Sequence, residues 1–364
     1  MRYLKNKRKM NWLKALILIV SLISLLVLSA AAFFISKLDK ISYEGETNKN
    51  PSSEQVVAPD VSDDGTDESF EDLKIDIGDL TVSETAPPIP EEEIVQSDEV
   101  VNILLLGTDE RSENFNNKSR SDSMILVSIN KDKNTVRLVS FERGIGVPIL
   151  EGQYKGEYDL LTHTFRWGGA DLVEKTIEHC FKINIDHHVR LNFNSVTEIV
   201  DAIGGIDLEF TKAEANAINN DVHSGRKVVT AGVNHVDGAT ALGFARLRKI
   251  DSDWKRVERQ RKVILAVVDE LKGSNLLTLN NLIDTVLPMV QTNMSKVDIA
   301  ELALYAPSFL KSEFDQMTIP KKGTYGGMSI RADAYAFAVD YEINNDLLHR
   351  FLYEGATSEE LMAE

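Results

Sequence analysis

Residues Ala15 to Ile35 run for twenty-one positions without a charged side chain, and no other stretch limits the architecture of this chain so firmly. A helix of that length spans the hydrocarbon of a bilayer. Arg2, Lys5, Lys7, Arg8, Lys9 and Lys14 precede it, and positive charge collects on the cytoplasmic side of a membrane. The expected order is therefore a cytoplasmic basic tail over 1–14, a transmembrane helix over 15–36, and everything beyond on the outer face of the cell membrane. A cleaved signal peptide is the competing reading, with Leu28–Ala32 offering small residues. The run is longer than a signal core and ends on Phe33, Phe34 and Ile35, which favours a retained single-pass anchor.

The net charge of −17 is unevenly spread. Residues 38–100 supply −16 of it, from 19 acids and three lysines, while residues 1–37 contribute +7. That leaves −8 for residues 101–364, ordinary for a globular domain. Residues 37–98 also hold Pro51, Pro59, Pro87, Pro88 and Pro90 and few large apolar side chains. Such a composition buries too little surface to offset chain entropy, so a disordered acidic linker is expected there. The basic N-terminus is too short to form a nucleic-acid reading domain and serves topology instead, so no nucleic-acid partner is expected. Cys180 is the only cysteine, read as a small buried apolar residue.

From residue 99 to 355 the pattern is that of one folded domain, with a short tail over 356–364. Val101–Leu106, Ser123–Ile129, Thr135–Phe141, His188–Phe193 and Ile206–Phe210 read as strands, with another near Ala336–Tyr341. Gly169–Phe181, Ser195–Ile203, Asp237–Arg246, Asp253–Lys272, Asn281–Val290, Val297–Leu310 and Asn345–Tyr353 read as helices. Strands alternating with helices predict an α/β layered domain, its central mixed sheet flanked by helices.

Arginines mark the chemistry. Arg246, Arg248, Arg256 and Arg259 fall within fourteen residues of a chain that is acidic as a whole, and a guanidinium fork meets phosphate oxygens bidentately. Arg246 and Arg248, two apart in FARLR, would send both forks to one side of an extended segment. Arg256 and Gln260 share one face of a helix, near its anion-favouring N-terminal end. A salt-bridged surface explains Arg259 and Arg261 equally well. Asp109 and Asp122 flank the first two strands at the ends where α/β folds place ligands. As hard oxygen donors they suit Mg²⁺, with Mn²⁺ also admissible. Arg143 lies just past a strand, before Gly144 and Gly146. His163, His187, His188 and His235 match no zinc spacing.

The strings GTDER, RSDSMILVSIN, SFERGIGVPI, DHHVRLNF, VDAIGGIDLEF, VDGATALGFARLR and RVERQRKVI occur in that order. Together they closely resemble the LytR–CpsA–Psr family from Val100 to Lys272, and more loosely to the C-terminus. The resemblance implies a membrane-anchored enzyme that takes an anionic glycopolymer, of teichoic acid or capsular type, from a polyprenyl diphosphate carrier. It attaches that polymer to peptidoglycan through a phosphodiester. Asp109 and Asp122 are implied as the Mg²⁺-associated aspartates, and Arg120, Arg143, Arg246, Arg248, Arg256 and Gln260 as the pyrophosphate-binding set. Asp109, Asp122 and Arg143 are the implied catalytic residues. The chain departs from the family in having Gly144 where an aspartate usually follows the arginine. It departs again at Thr162–Trp167, where the family has an Asn/His-Ala-Tyr-like segment. Two other activities remain open on the same residues: hydrolysis of the lipid diphosphate, and a non-catalytic sensor of lipid-linked precursors.

Overall fold

The computed structural model describes residues 35–43, 77–78, 80–109, 119–220, 228–247, 250–274, 276–312, 314–331 and 334–364. The expected basic tail and nearly all of the expected membrane helix lie outside these residues. So do most of the acidic linker and Arg248. Residues 35–38 form a helical turn, and no helix among the described residues is long and apolar enough to cross a membrane.

From Ser42 onward the strands are β1 (Ser42–Tyr43), β2 (Val82–Ser83), β3 (Val100–Thr108), β4 (Ser121–Asn130), β5 (Thr135–Phe141), β6 (Gly146–Pro148) and β7 (Tyr158–Leu160). They continue with β8 (His187–Asn192), β9 (Ile206–Phe210), β10 (Gly232–Val236), β11 (Gln291–Thr292), β12 (Phe314–Ile319), β13 (Tyr325–Arg331) and β14 (Ala334–Val339). The helices are α1 (Leu161–Phe181), α2 (Phe193–Ala202), α3 (Lys212–Asn220), α4 (Gly238–Ala245), α5 (Asp253–Gly273), α6 (Leu276–Val286), α7 (Lys296–Phe309), α8 (Tyr341–His349) and α9 (Ser358–Ala363).

Seven strands form the main sheet in the order β1-β11-β8-β3-β4-β5-β12. It is mixed, as expected. β3–β4 and β4–β5 are antiparallel, whereas β8 joins β3 and β12 joins β5 in parallel. Leu104, Leu106, Met124, Leu126, Val139 and Phe141 of the sheet pack on Val173, Ile177 and Phe181 of α1 and on Leu347 and Leu348 of α8. Each such side chain removed from water contributes roughly 1.5–3 kcal/mol. Val200, Ile206, Phe210, Phe244 and Val263 form a second core linking α2, β9, α4 and α5. Cys180 is wholly enclosed in the first core, and burial pushes its thiol up to about 12, so it is packing rather than a nucleophile.

Two expectations shift. The helix expected from Gly169 begins at Leu161, and Gly168 and Gly169 interrupt it with non-helical backbone, Gly169 at φ 69°. Residues 77–98, assigned by composition to the linker, carry structure. β2 pairs with β13, Val95 bridges to Ile183 and Ile89 packs on the main core. A few apolar residues spaced through an acidic stretch are enough to dock it.

Candidate anionic-ligand site

The site starts at a fault in the β3–β4 ladder. Gly107 pairs with Ser123 but Thr108 pairs with Ser121, so Asp122 is an extra residue in a bulge, a device that re-aims a side chain. A Cβ on Gly107 would stand 2.9 Å from that of Ser123; only glycine lets the strands close there. Asp109, one residue past β3, accepts from the backbone N of Arg120 at 2.9 Å and from its Nε at 3.3 Å.

Arg143 follows β5 and joins three elements. Its Nη1 donates to Asp122 Oδ1 at 3.3 Å and its Nε to Asp253 Oδ2 at 2.8 Å. Its carbonyl accepts from Thr162 N at 3.2 Å, while the Thr162 hydroxyl donates to the Ser121 carbonyl at 2.9 Å. The first turn of α1 thus ties β4 to the Arg143 loop. Asp253 opens α5 and also meets Arg256 Nη2 at 3.3 Å. The same Nη2 donates to the backbone carbonyl of Asp122 at 3.3 Å. Trp254 stacks on Tyr325 with centroids 5.4 Å apart and leans on Phe337 at 5.9 Å. Those rings fix the start of α5 against β13 and β14.

Arg143 and Arg256 are buried, as is Asp122. Burial opposes charge on Arg143, but Asp122 and Asp253 outweigh it and hold its pKa above the ordinary value. The Glu142 carboxyl goes the other way. Burial pushes it up to about 8, with Asp253 adding to the rise and Arg256 and Arg143 opposing it.

Of the remaining expected residues, Arg246 and Gln260 are described and Arg248 is not. Arg246 is exposed, its guanidinium 4.2 Å from the Phe193 ring centroid. Phe193 follows Asn192, which pairs with Thr108, so Arg246 lies at the sheet end that carries Asp109. The expected extended geometry of FARLR does not hold at Arg246, which caps α4 at φ −101°, ψ −1°: the helix runs to Ala245 and turns there. Gln260 is half-buried on α5 one turn past Arg256. Arg259 is a strut: it meets both Asp251 oxygens at 2.7 and 2.8 Å, the Leu247 carbonyl at 2.6 Å and Glu214 at 3.3 Å. Three of the four histidines singled out pair with acids: His163 with Asp159 at 2.8 Å, His188 with Glu174 at 2.9 Å and His235 with Asp207 at 2.8 Å.

Three residues escaped the sequence reading. Asp253 looked like an ordinary first-turn acid and Glu142 like a strand-end charge. Arg190 alternates with apolar neighbours in β8 and is fully buried, 4.6 Å from the Phe165 ring centroid and bonded to Gln291 at 2.9 Å. Its place in an apolar strand was the one available signal. No group of three or more His, Cys, Asp or Glu side chains that could hold a metal ion exists among the described residues. Of the two hard carboxylates expected to hold Mg²⁺, Asp122 is the bulge residue and pairs with Arg143, while Asp109 lies one residue past β3 and pairs with Arg120.

Residues 66–349 match the model of the LytR_cpsA_psr family. Polyisoprenyl-teichoic acid–peptidoglycan teichoic acid transferase TagT of Bacillus subtilis (strain 168) is 32% identical over 221 residues, 59% of this chain and 67% of that one. The transferase TagU of Bacillus anthracis (strain CDC 684 / NRRL 3495) is 32% identical over 238 residues, 64% and 72% of the two chains. A solved structure of TagT bound to LIIa-WTA superposes with a TM-score of 0.58 at 26% identity, covering 74% of this chain and 96% of that one.

Proposed function

The chain belongs to the LytR_cpsA_psr family, and on that premise we propose that it transfers a teichoic-acid-type glycopolymer from a polyprenyl diphosphate carrier to peptidoglycan. The observation that carries this reading is the cluster of buried Arg143, Arg256 and Asp122 with half-buried Asp253 at the ends of β4 and β5. Its two guanidinium groups supply forks for phosphate oxygens, and its two aspartates hold those forks in place.

Arg143 spends Nε and Nη1 on aspartates, leaving Nη2 for a phosphate oxygen. Arg256 is fixed by Asp253 and by the Asp122 carbonyl, and so presents its guanidinium in one posture. Arg120, Arg246, Arg248 and Gln260 complete the set that grips the diphosphate. A hydroxyl of the glycan strand attacks the phosphorus that bears the polymer and gives up its proton to water. The bond from that phosphorus to the bridging oxygen breaks, and polyprenyl phosphate leaves with the electron pair. Fixed positive charge around the phosphoryl oxygens supplies most of the acceleration. Asp109 and Asp122 would hold Mg²⁺, which when bound neutralises charge on the diphosphate. Anchoring by residues 15–36 would keep this site beside the membrane that holds the carrier lipid; the uncharged run and the basic residues before it support that placement.

The test is acceptor-dependent turnover. The full chain in detergent is given a polyprenyl-diphosphate saccharide and Mg²⁺, with and without peptidoglycan oligomers, and release of polyprenyl phosphate is followed. Release that requires the oligomers supports the transferase. Equal release without them would make the protein a lipid-diphosphate hydrolase.

A further inference from the structure

Glu142 has no exposed surface, and no side chain among the described residues donates a hydrogen bond to its carboxyl oxygens; the backbone of Arg143 is the one donor beside them, and a weak one. Buried polar groups are nearly always partnered, and the exceptions call for an explanation. The backbone fixes this one in place. Glu142 N donates to the Ile319 carbonyl at 2.9 Å, and its own carbonyl accepts from Ile145 N at 3.3 Å. The side chain therefore cannot reach water without opening the end of the β5–β12 pair.

Charged and titratable groups face it from every side. Arg143 is its neighbour in the same loop. Asp253, Arg256 and Arg261 approach from α5 and Tyr325 from β13, and Asp122 of β4 stands beyond Arg143. Within the central cluster, two guanidinium groups already face two aspartates. With Arg261 counted the cluster is net positive by one, and an ionised Glu142 would cancel that charge in a water-poor place where charges interact strongly. That is the wrong direction for a site that must admit a diphosphate.

We infer that Glu142 is the charge-setting residue of this site: it stays protonated while an anionic diphosphate is bound and so makes diphosphate affinity depend on pH. The inference rests on the proposed diphosphate ligand. Wholly buried, and with no side chain donating to its anion, the carboxyl keeps its proton at neutral pH, in line with the raised value given above. A bound diphosphate strengthens that preference. By linkage, affinity is level below about pH 8 and falls above it, by at most about tenfold per pH unit.

The experiment uses the full chain in detergent and a short-chain prenyl-diphosphate N-acetylglucosamine, whose two phosphoryl charges do not change across the range. Affinity is measured near pH 7 and near pH 9.5 for the wild type and Glu142→Gln. The wild type is expected to weaken about tenfold at the higher pH, and the variant to show the same affinity at both. A wild type that does not weaken, or a variant that weakens equally, overturns the inference. Should Glu142→Gln fail to fold, calorimetry of the wild type near pH 8.5 in two buffers of different ionisation enthalpy reads proton uptake directly. Uptake on binding supports the role of Glu142, and its absence overturns it. No binding by the wild type near pH 7 would instead sink the diphosphate reading, and the inference with it.

Discussion

Arg143 Nε and Asp253 Oδ2 stand 2.8 Å apart although the residues are 110 positions apart in the chain. The family resemblance expects an aspartate directly after the arginine, where this chain has Gly144. Here the first turn of α5 delivers a carboxylate to the guanidinium, and the same oxygen also steadies Arg256 at 3.3 Å.

Asp253→Asn keeps the shape but removes the charge that fixes both arginines. Polymer transfer is expected to fall about 10- to 100-fold through misplacement of the phosphate-binding forks. Steady-state kinetics checks this, with circular dichroism to confirm the fold. Transfer at the wild-type rate would show that Arg143 and Arg256 are placed without Asp253.

Two nearby arginines should behave in opposite ways. Arg259→Ala strands the buried Glu214 carboxylate and empties a buried guanidinium site, and is expected to cost about 3–5 kcal/mol of stability in denaturant titration. Arg246 is exposed and rests on Phe193. Arg246→Ala is expected to cost under about 1 kcal/mol while weakening diphosphate binding in an affinity assay. Equal stability losses would contradict this division.

Stability should also depend on pH through Glu142. Its pKa is higher in the folded chain than in the unfolded one, so the unfolded carboxyl ionises first as pH rises. Below the unfolded value of 4.5 the group costs nothing, and its cost grows until about 8 and then levels. Relative to Glu142→Gln, the wild type should lose stability across that window, by about 3 kcal/mol at pH 7. Denaturant midpoints of both proteins between pH 4.5 and pH 9 measure the difference, and parallel curves would count against a buried, proton-bearing Glu142.

Metal dependence is expected to trace to two residues. Chelation should abolish transfer, and Mg²⁺ or Mn²⁺ should restore it. Asp109→Asn and Asp122→Asn should each raise the half-saturating metal concentration at least about tenfold, as loss of one carboxylate ligand implies. Titrations in which both variants saturate like the wild type would remove these aspartates from the metal.

Part of the buried cluster was legible because its residues sit in short strings with recognisable spacing. Asp122, Arg143 and Arg256 meet where β4 and β5 face α5, and Asp109 pairs with Arg120 past the end of β3. Asp253 and Glu142 were not legible. A first-turn acid is expected of any helix, and a glutamate beside an arginine looks like a surface pair. Only tertiary packing, with Trp254 pressed on Tyr325 and Phe337, turns Asp253 toward Arg143 and seals Glu142 from water. The mixed sheet followed from alternation of elements, but β12 and β13 were missed. Met317 and Ile319, or Gly326 and Gly327, give a weak strand pattern until partners supply the other face. The early start of α1 was hidden by Gly168–Gly169, which read as a boundary and proved to be an interruption.

The most direct measurement is the mass of the glycan product. The full chain, a polyprenyl-diphosphate saccharide of defined mass, peptidoglycan oligomers and Mg²⁺ are incubated, and the oligomers are analysed by mass spectrometry. The account predicts oligomers heavier by the saccharide plus one phosphoryl group, and no such product from Arg143→Ala. Oligomers carrying the saccharide without phosphorus, or unmodified oligomers beside released polyprenyl phosphate, would contradict it.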